Sequence, residues 1–381
     1  MNTFAFIIHP INPKQDVSRK YPLLGRLLSE RQIDFFSTFF PPVFISEIDG
    51  IISTDTGGEI RGYFVACPLT PRRMHEVPEE VAYSKIIQSG RLAERLGAQM
   101  LGLGAFTSVV GDAGLTVARN LHIPVTTGNA YTISVAVQAL TEAAQIMDIP
   151  LETAPVAVIG ANGAIGRVCA ELLSNQVSDL FLIGRRLDAL EEVRDRLMAS
   201  HPRAQIHVST RVEDIRHALL ILSVTSAAHN IIRPSILRSG SVILDVALPP
   251  DVSARVSRVR PDVLVIDGGL VDVPGPVNFR FDFGLPEGKA YACMAETMAL
   301  TLEGRFESYT LGRQITLKQV QEITQLAEKH GFHLSGLRSQ EQPVWEADIR
   351  RVRQAARQSR LKPVTVLQNS RIPWNYSKSG G

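Results

Sequence analysis

The run "VAVIGANGAIGRVCAELL", residues 156–173, constrains the fold more than any other stretch of the chain. Its first four residues read as a buried strand and the segment from Ala164 as a helix. Between them lie Gly160, Ala161, Asn162 and Gly163, with Gly166 following in the first helical turn. Glycines spaced Gly-x-x-Gly-x-x-Gly let the backbone turn tightly, approach a pyrophosphate and pack a helix close against its strand. The pyrophosphate then rests on the free N–H groups of the helix start. A strand before and a helix after separate such a loop from an ordinary tight turn. Gly160, Asn162, Gly163, Ala164, Ile165 and Gly166 are therefore expected to hold a dinucleotide.

From residue 155 strand and helix patterns alternate: "DLFLIGR", "DALEEVRDRLMASH", "QIHVST", "ALLILSVT", "SVILDVAL" and "VLVIDGG" follow with short connections. Parallel strands need crossovers, so this alternation implies a doubly wound parallel sheet covered on both faces. The first 150 residues mix strand-like and helical patterns, with "QMLGLGAFTSVV" reading as strand and 132–148 as helix. The expected architecture is α/β: an N-terminal α/β substrate domain over 1–150 and a Rossmann NADP domain over 151–289. A helical segment over 290–335 packs back against the first domain, and a basic tail spans 336–381.

An NAD enzyme places an acid about 20 residues after the loop, at the end of the second strand, to bond the ribose 2′-hydroxyl. Here "LIGRR" puts Arg185 and Arg186 there, and a guanidinium suits a 2′-phosphate. The expected cofactor is NADPH. Thr225 in "SVTSA" and Gly268 in "DGG" end later strands, where such a sheet forms its ligand crevice, and are expected near the nicotinamide.

The formal charge of +2 over 381 residues conceals an uneven distribution. Residues 336–381 carry nine Arg or Lys against three acids, leaving the body mildly acidic, and both tryptophans, Trp345 and Trp374, lie in this tail. "WEADIRRVRQAARQSRLK" reads as one helix, with a solvated helix and frayed end as the simplest reading and an anionic partner or a membrane surface as the other. The body shows no basic aromatic pattern, which argues against nucleic acid. The three cysteines, Cys67, Cys169 and Cys293, offer no metal-ligand spacing and favour a reducing compartment. With no signal-like N-terminus and no long apolar span, a cytoplasmic protein without a metal is expected.

Cys293 in "YACMAETMALTLEG" falls in the first turn of an expected helix, with Ala292, Ala295, Met298, Ala299 and Leu302 as an apolar stripe and Gly304 as the stop. A helix N-terminus stabilises a thiolate by about 0.3–1 kcal/mol, and Lys289 or an imidazole would add to this. The competing reading is a small core residue. Cys169 reads as packing, and Cys67, before a proline, suits either role.

The ordered set of "DVSRKY", "LGAFTSVV", "TTGNAYT", "VAVIGANGAIG", "LIGRR", "VIDGG", "YACMAETMALTLEG", "SYTLGRQIT" and "AEKHGF" resembles the cyanobacterial-type long-chain acyl-[acyl-carrier-protein] reductases over most of residues 1–335. The resemblance implies that Cys293 attacks an acyl thioester, on acyl carrier protein or coenzyme A, and that hydride from NADPH releases a fatty aldehyde. It implies as further partner an aldehyde-consuming enzyme. One thiolate serves both halves because it is a good nucleophile and a good leaving group. The chain departs from the family pattern after Asn129, where Ala130-Tyr131-Thr132-Ile133-Ser134 has no His and no Tyr at the positions where the family carries them, so no proton-transfer role is carried over there. Two other readings stay open: an NADP-dependent dehydrogenase of a small amino or hydroxy acid, and a non-catalytic NADP(H)-sensing protein.

Overall fold

Two sheets meet across the carboxyl ends of their parallel strands. The computed structural model describes residues 1–361 apart from 11, 202–203, 228–229, 248–249 and 341. The first sheet comprises β1 (Asn2–Ile8), β2 (Val43–Ile52), β3 (Glu59–Ala66), β4 (Met100–Leu103) and β5 (Val125–Thr126), in the order β2-β3-β1-β4-β5. All neighbours are parallel except β2, which runs antiparallel to β3. Phe4, Ala5, Phe6 and Ile7 are all buried, because helices cover both faces and leave no polar side to alternate with.

The second sheet holds β6 (Val156–Ile159), β7 (Asp179–Ile183), β8 (Gln205–Ser209), β9 (Leu220–Ser223), β10 (Val242–Asp245) and β11 (Leu264–Asp267). They lie side by side as β11-β10-β9-β6-β7-β8, all parallel. This is the doubly wound Rossmann order, with its switch point between β6 and β9. A small antiparallel sheet of β12 (Leu270–Asp272), β13 (Lys289–Tyr291) and β14 (His333–Leu334) leads into the C-terminal helices.

The helices follow from local chemistry. α1 (Pro13–Lys20), α2 (Pro22–Leu27) and α3 (Glu30–Ser37) start at prolines in their first turn or at a capping box in which Ser29 and Gln32 bond reciprocally. After α4 (Pro71–Glu76), α5 (Glu79–Arg95) covers one face of the first sheet, and α6 (Leu115–Arg119) precedes β5. α7 (Asn129–Ile146) packs against both α8 (Ala164–Ser174) and β10, ahead of α9 (Leu187–Ser200) and α10 (Arg255–Val259). α11 (Ala292–Glu303) lies on β1 and β4 and against α7 and α12 (Leu317–His330). It is buried from Met294 to Thr301, so the single apolar stripe expected from sequence is a core helix enclosed on several sides.

Two sequence expectations are corrected. The stretch 99–110 is strand only to Leu103 and then turns through a 3-10 segment, Ala105–Ser108, because Ala105 takes a positive φ of 45° and the Phe106 amide bonds His9. The segment from 336 forms the expected helix, but one that packs on the body and is not simply solvated. β15 (Arg338–Ser339) adds antiparallel to β11, β16 (Gln342–Pro343) pairs with β15, and α13 (Glu346–Leu361) buries Ile349, Val352 and Ala356. Its arginines are largely spoken for: Arg350 pairs with Glu346, Arg351 with Asp348, and Arg353 with Asp148 of the preceding unit. The remaining expected tail, including Lys362, Arg371, Trp374 and Lys378, lies outside the described residues.

Candidate active site

The glycine loop has the shape of a phosphate cradle. Gly160, with φ of 85°, turns the chain out of β6, and the Gly160 and Ala161 amides both bond the Ile183 carbonyl on β7. A Cβ on Gly166 would lie 2.2 Å from the Gly160 oxygen, so only glycine lets the helix start so close to the strand. Gly163 caps α8 without a side-chain acceptor. The amides of the first turn, at Ala164, Ile165 and Gly166, therefore have no intrahelical partner and suit an anion. The Asn162 Oδ1 stands over Gly184 at the end of β7. Beyond it Arg185 is exposed, with no ion pair among the described residues, whereas Arg186 pairs with Asp188 at 3.0 Å. These residues fit a dinucleotide.

A cavity of about 1050 Å³ opens where the strand ends of the two sheets meet. From the Rossmann side it is lined by Ile165, Thr225, Asp245 and Gly268, and from the first sheet by His9 and Ala105. Cys293 stands on its wall. Of the residues expected from sequence, the structure thus brings Ile165, Thr225, Gly268 and Cys293 into one space. Gly160, Asn162, Gly163, Ala164 and Gly166 lie on the loop beside it, and Arg185 and Arg186 lie farther out, past β7. The Thr225 hydroxyl donates to Asp251 Oδ1 at 2.6 Å, as Ser223 does to Oδ2 at 2.7 Å, so Thr225 shapes the crevice with its backbone and methyl group. Away from the crevice the lining is mixed: Leu24, Leu28, Ile33 and Phe40 from the α1–α3 region and Phe281 and Phe283 from the β12–β13 connection are apolar, while α1 adds Gln15, Asp16, Arg19 and Lys20.

Cys293 is the second residue of α11, whose start has no side-chain cap. The Gly269 carbonyl accepts from the Ala292 N–H at 2.7 Å, while the amides of Ala105, Met294 and Cys293 itself favour the thiolate. Burial outweighs them and the Glu296 carboxylate adds to it, so the thiol is pushed up to about 12. The expected lowering by the helix start is opposed: desolvation around the half-buried sulfur and a like charge one turn on act against a dipole effect of at most about 2 kcal/mol. Lys289, considered as a helper, pairs instead with Asp272 across β12 and β13.

Glu296 itself was not singled out from the sequence. It is 0% exposed and accepts from the Thr126 and Thr310 hydroxyls, from the Tyr131 N–H at 2.9 Å and from the Gly128 N–H. Burial still raises it, because donors without a counter-cation do not fully replace water. Through Glu296 the 126–131 turn is clamped to α11. Gly128 presses so closely that a Cβ there would lie 2.3 Å from the Cys293 Cα. His9 and Asp245 were missed too, although each is a polar residue at the end of an apolar strand, which is a readable signal. Burial, and then the neighbouring Asp251, push Asp245 up to about 7. Cys67 and Cys169 are fully buried, their thiols pushed by burial to about 11 and about 12.

The sequence profile of the family described as Shikimate / quinate 5-dehydrogenase matches residues 141–267. The chain is 34% identical over 287 residues to "Aminotransferase PigE" of Serratia sp. (strain ATCC 39006), covering 74% of this chain and 33% of that protein. It thus spans about a third of that relative's length. It is 28% identical over 319 residues to the long-chain acyl-[acyl-carrier-protein] reductase of Synechococcus elongatus, covering 80% of this chain and 90% of that protein. Among solved structures it is similar to L-tryptophan dehydrogenase from Nostoc punctiforme at 13% identity and a TM-score of 0.41, over 94% of this chain and 88% of that one. The glycine loop, the Rossmann strand order and the profile over residues 141–267 agree on a dinucleotide-binding fold for this part of the chain. Among the described residues no helix is long and apolar enough to cross a membrane.

Proposed function

We propose that the protein reduces a fatty acyl thioester to the aldehyde with NADPH, through an acyl-enzyme on Cys293. The observation that carries this reading is the position of one thiol. Cys293 borders a cavity that reaches from the Rossmann crevice to a cluster of apolar side chains at Leu24, Leu28, Ile33, Phe40, Phe281 and Phe283, so an acyl carbon at the sulfur would have the nucleotide crevice on one side and room for hydrocarbon on the other. The likeness to the Synechococcus reductase over 80% of the chain supports it.

In the first half the Cys293 sulfur bonds the acyl carbon and the carrier's sulfur leaves, taking the proton that Cys293 gives up. Charge and protons balance without a cofactor. In the second half the acyl carbon would receive hydride from NADPH held at the glycine loop. Cys293 then leaves, regains a proton and frees the aldehyde, so one hydride and one proton are consumed per turnover. The amides of Ala164, Ile165 and Gly166 would receive the pyrophosphate, and Arg185, which has no ion pair among the described residues, the 2′-phosphate. The apolar part of the wall, with Leu24, Leu28, Ile33, Phe40, Phe281 and Phe283, offers a hydrocarbon chain more surface than a small amino or hydroxy acid could use. The carrier is an acyl carrier protein or coenzyme A. The relative named an aminotransferase makes an enzyme of that class a fitting consumer of the aldehyde, since transamination takes a carbonyl acceptor.

Mass spectrometry of the intact protein tests the reading. With an acyl thioester and no NADPH the wild type should gain the acyl mass, Cys293→Ser should not, and NADPH should discharge the adduct as aldehyde. An unmodified wild type that instead turns over a small acid would sink it.

A further inference from the structure

An acyl group on Cys293 would bring one polar atom into the cavity, the carbonyl oxygen, two bonds from the sulfur. A carbonyl oxygen taken from water without a donor is costly, and more so as it gains negative charge. The turn that presses on Cys293 holds the donor. Three polar side chains of that turn line the cavity: Thr127, Asn129 and Thr132. The Thr127 hydroxyl donates to the Thr310 carbonyl and the Thr132 hydroxyl to the Gly128 carbonyl at 2.9 Å, so both are committed. Asn129 is only 6% exposed, yet its side-chain amide has no hydrogen-bond partner among the described residues. The side-chain atoms there that are both unpartnered and sealed from solvent belong to His9, Ser241, Ser257 and Ser335. The Asn129 amide is not one of these, so it is unpartnered and open to the cavity that it lines. A side chain buried beyond nine-tenths with its hydrogens unused is made for a ligand or a water, since such groups are otherwise paired.

The chain itself limits how far this amide stands from the thiol. A Cβ on Gly128 would lie 2.3 Å from both the Cα and the Cβ of Cys293, and Asn129 is the next residue. With about 3.8 Å between consecutive Cα atoms, the Asn129 Cα lies within about 8 Å of the Cys293 Cα. Asn129 is also the first residue of α7, entered through Gly128 at φ 72°, so its backbone is fixed by a helix. The amides of Ala105, Met294 and Cys293 are turned to the sulfur and leave the acyl oxygen to another donor. We infer that the Asn129 Nδ2–H donates to the carbonyl oxygen of the thioester at Cys293 and stabilises the oxyanion formed when the sulfur adds to the acyl carbon. Asn129 is then a catalytic residue, and the inference rests on the acyl-enzyme reading. As the carbon–sulfur bond forms, the electron pair of the double bond moves onto the oxygen. When that pair returns, the bond to the carrier's sulfur breaks, and that sulfur leaves with the proton given up by Cys293. The amide keeps both hydrogens throughout, and with neither end held by the protein it is free to turn one of them to the oxygen.

Two rates at Cys293, both followed by peptide mass spectrometry, test this in Asn129→Leu, which is close in shape, and Asn129→Ala, which cannot clash. One is acylation by an acyl thioester without NADPH. The other is alkylation by iodoacetamide, a displacement at saturated carbon in which no oxyanion forms. Because loss of one oxyanion donor lowers a rate about 100-fold or more, acylation should fall by about that much in both variants while alkylation stays within about threefold of wild type. Acylation near the wild-type rate in either variant overturns the inference. A parallel fall in both rates overturns it too, since the side chain would then only position the thiol. So does weakened NADPH binding with acylation intact, which would put the amide at the cofactor instead. A wild type that is alkylated but takes up no acyl group fails the reading beneath and the inference with it, whereas a wild type that acylates no faster than its variants fails the inference alone.

Discussion

Two helices begin at the same cavity without a side-chain cap, and they do opposite things with their free amides. α8 opens behind Gly163 with Ala164, Ile165 and Gly166, a start whose glycines leave room for a ligand to approach the backbone. α11 opens behind Tyr291 with Ala292, Cys293 and Met294, where one amide bonds the Gly269 carbonyl and a buried carboxylate stands one turn further on. At α8 the helix start is unopposed and suits an anion. At α11 the same partial positive charge is exceeded by burial and by Glu296, and the thiol stays protonated. A helix start sets a direction, but its surroundings decide the sign.

Glycine substitutions should separate the two starts most sharply. Alanine at 166 meets the Gly160 oxygen at 2.2 Å and alanine at 128, where φ is 72°, meets the Cys293 backbone at 2.3 Å. Gly128→Ala should lower acylation of Cys293 at least about 100-fold, in line with the sensitivity of covalent steps to displacement of the nucleophile. Nucleotide binding should change little. Gly166→Ala should do the converse, weakening NADPH binding more than about tenfold while acylation without NADPH persists. Stopped-flow acylation and fluorescence titration of NADPH measure the pair. If either substitution impairs both functions equally, the two starts form one mechanical unit.

A smaller effect belongs to the arginines past β7. A charge-assisted hydrogen bond is worth about 1.5–3 kcal/mol, so Arg185→Ala should weaken NADPH binding roughly 10- to 100-fold and leave NADH unchanged. Arg186 already pairs with Asp188 on the surface, and its alanine variant should cost less than about fivefold. Equal affinity of the wild type for NADPH and NADH, by calorimetry, would remove the argument for a 2′-phosphate site.

The same contrast explains what was legible in the sequence. The α8 start is made by backbone and by residues within one short segment, so glycine spacing between a strand and a helix disclosed Gly160 to Gly166 and the sheet that carries them. The α11 site is assembled from distant pieces: His9 after β1, Ala105 after β4, Gly128 after β5 and Glu296 on the helix itself. Cys293 could be located on its helix, but the direction of its ionisation could not, because the deciding carboxylate acts only once the 126–131 turn has closed over it. β15 was hidden for a related reason. "LRSQEQPV" has too few apolar residues to read as strand, and Arg338 is buried by pairing at the sheet edge rather than by hydrophobicity. Helices α1 to α3 left capping signals at Pro13, Pro22 and Ser29 that a closer reading of the first 40 residues would have found.

The smallest and most specific effect concerns Glu296. With the thiol near 12, alkylation of wild-type Cys293 by iodoacetamide should climb about tenfold per pH unit from pH 7 to 10 without a plateau. Glu296→Gln removes the like charge and should speed alkylation at a given pH by about tenfold, one pKa unit. The amide also turns an N–H toward the donors of Tyr131, Gly128, Thr126 and Thr310, so stability should fall by about 1–3 kcal/mol. That loss has its own pH signature. Because burial raises the Glu296 carboxyl above its ordinary 4.5, its contribution to stability is complete below about pH 4.5 and is lost as pH rises through the raised value. Denaturant unfolding should therefore show the gap between wild type and variant widest in acid and narrowing upward. An alkylation profile identical in both proteins would mean that dryness alone holds the proton on the sulfur, and the two helix starts would then differ only in how much water reaches them.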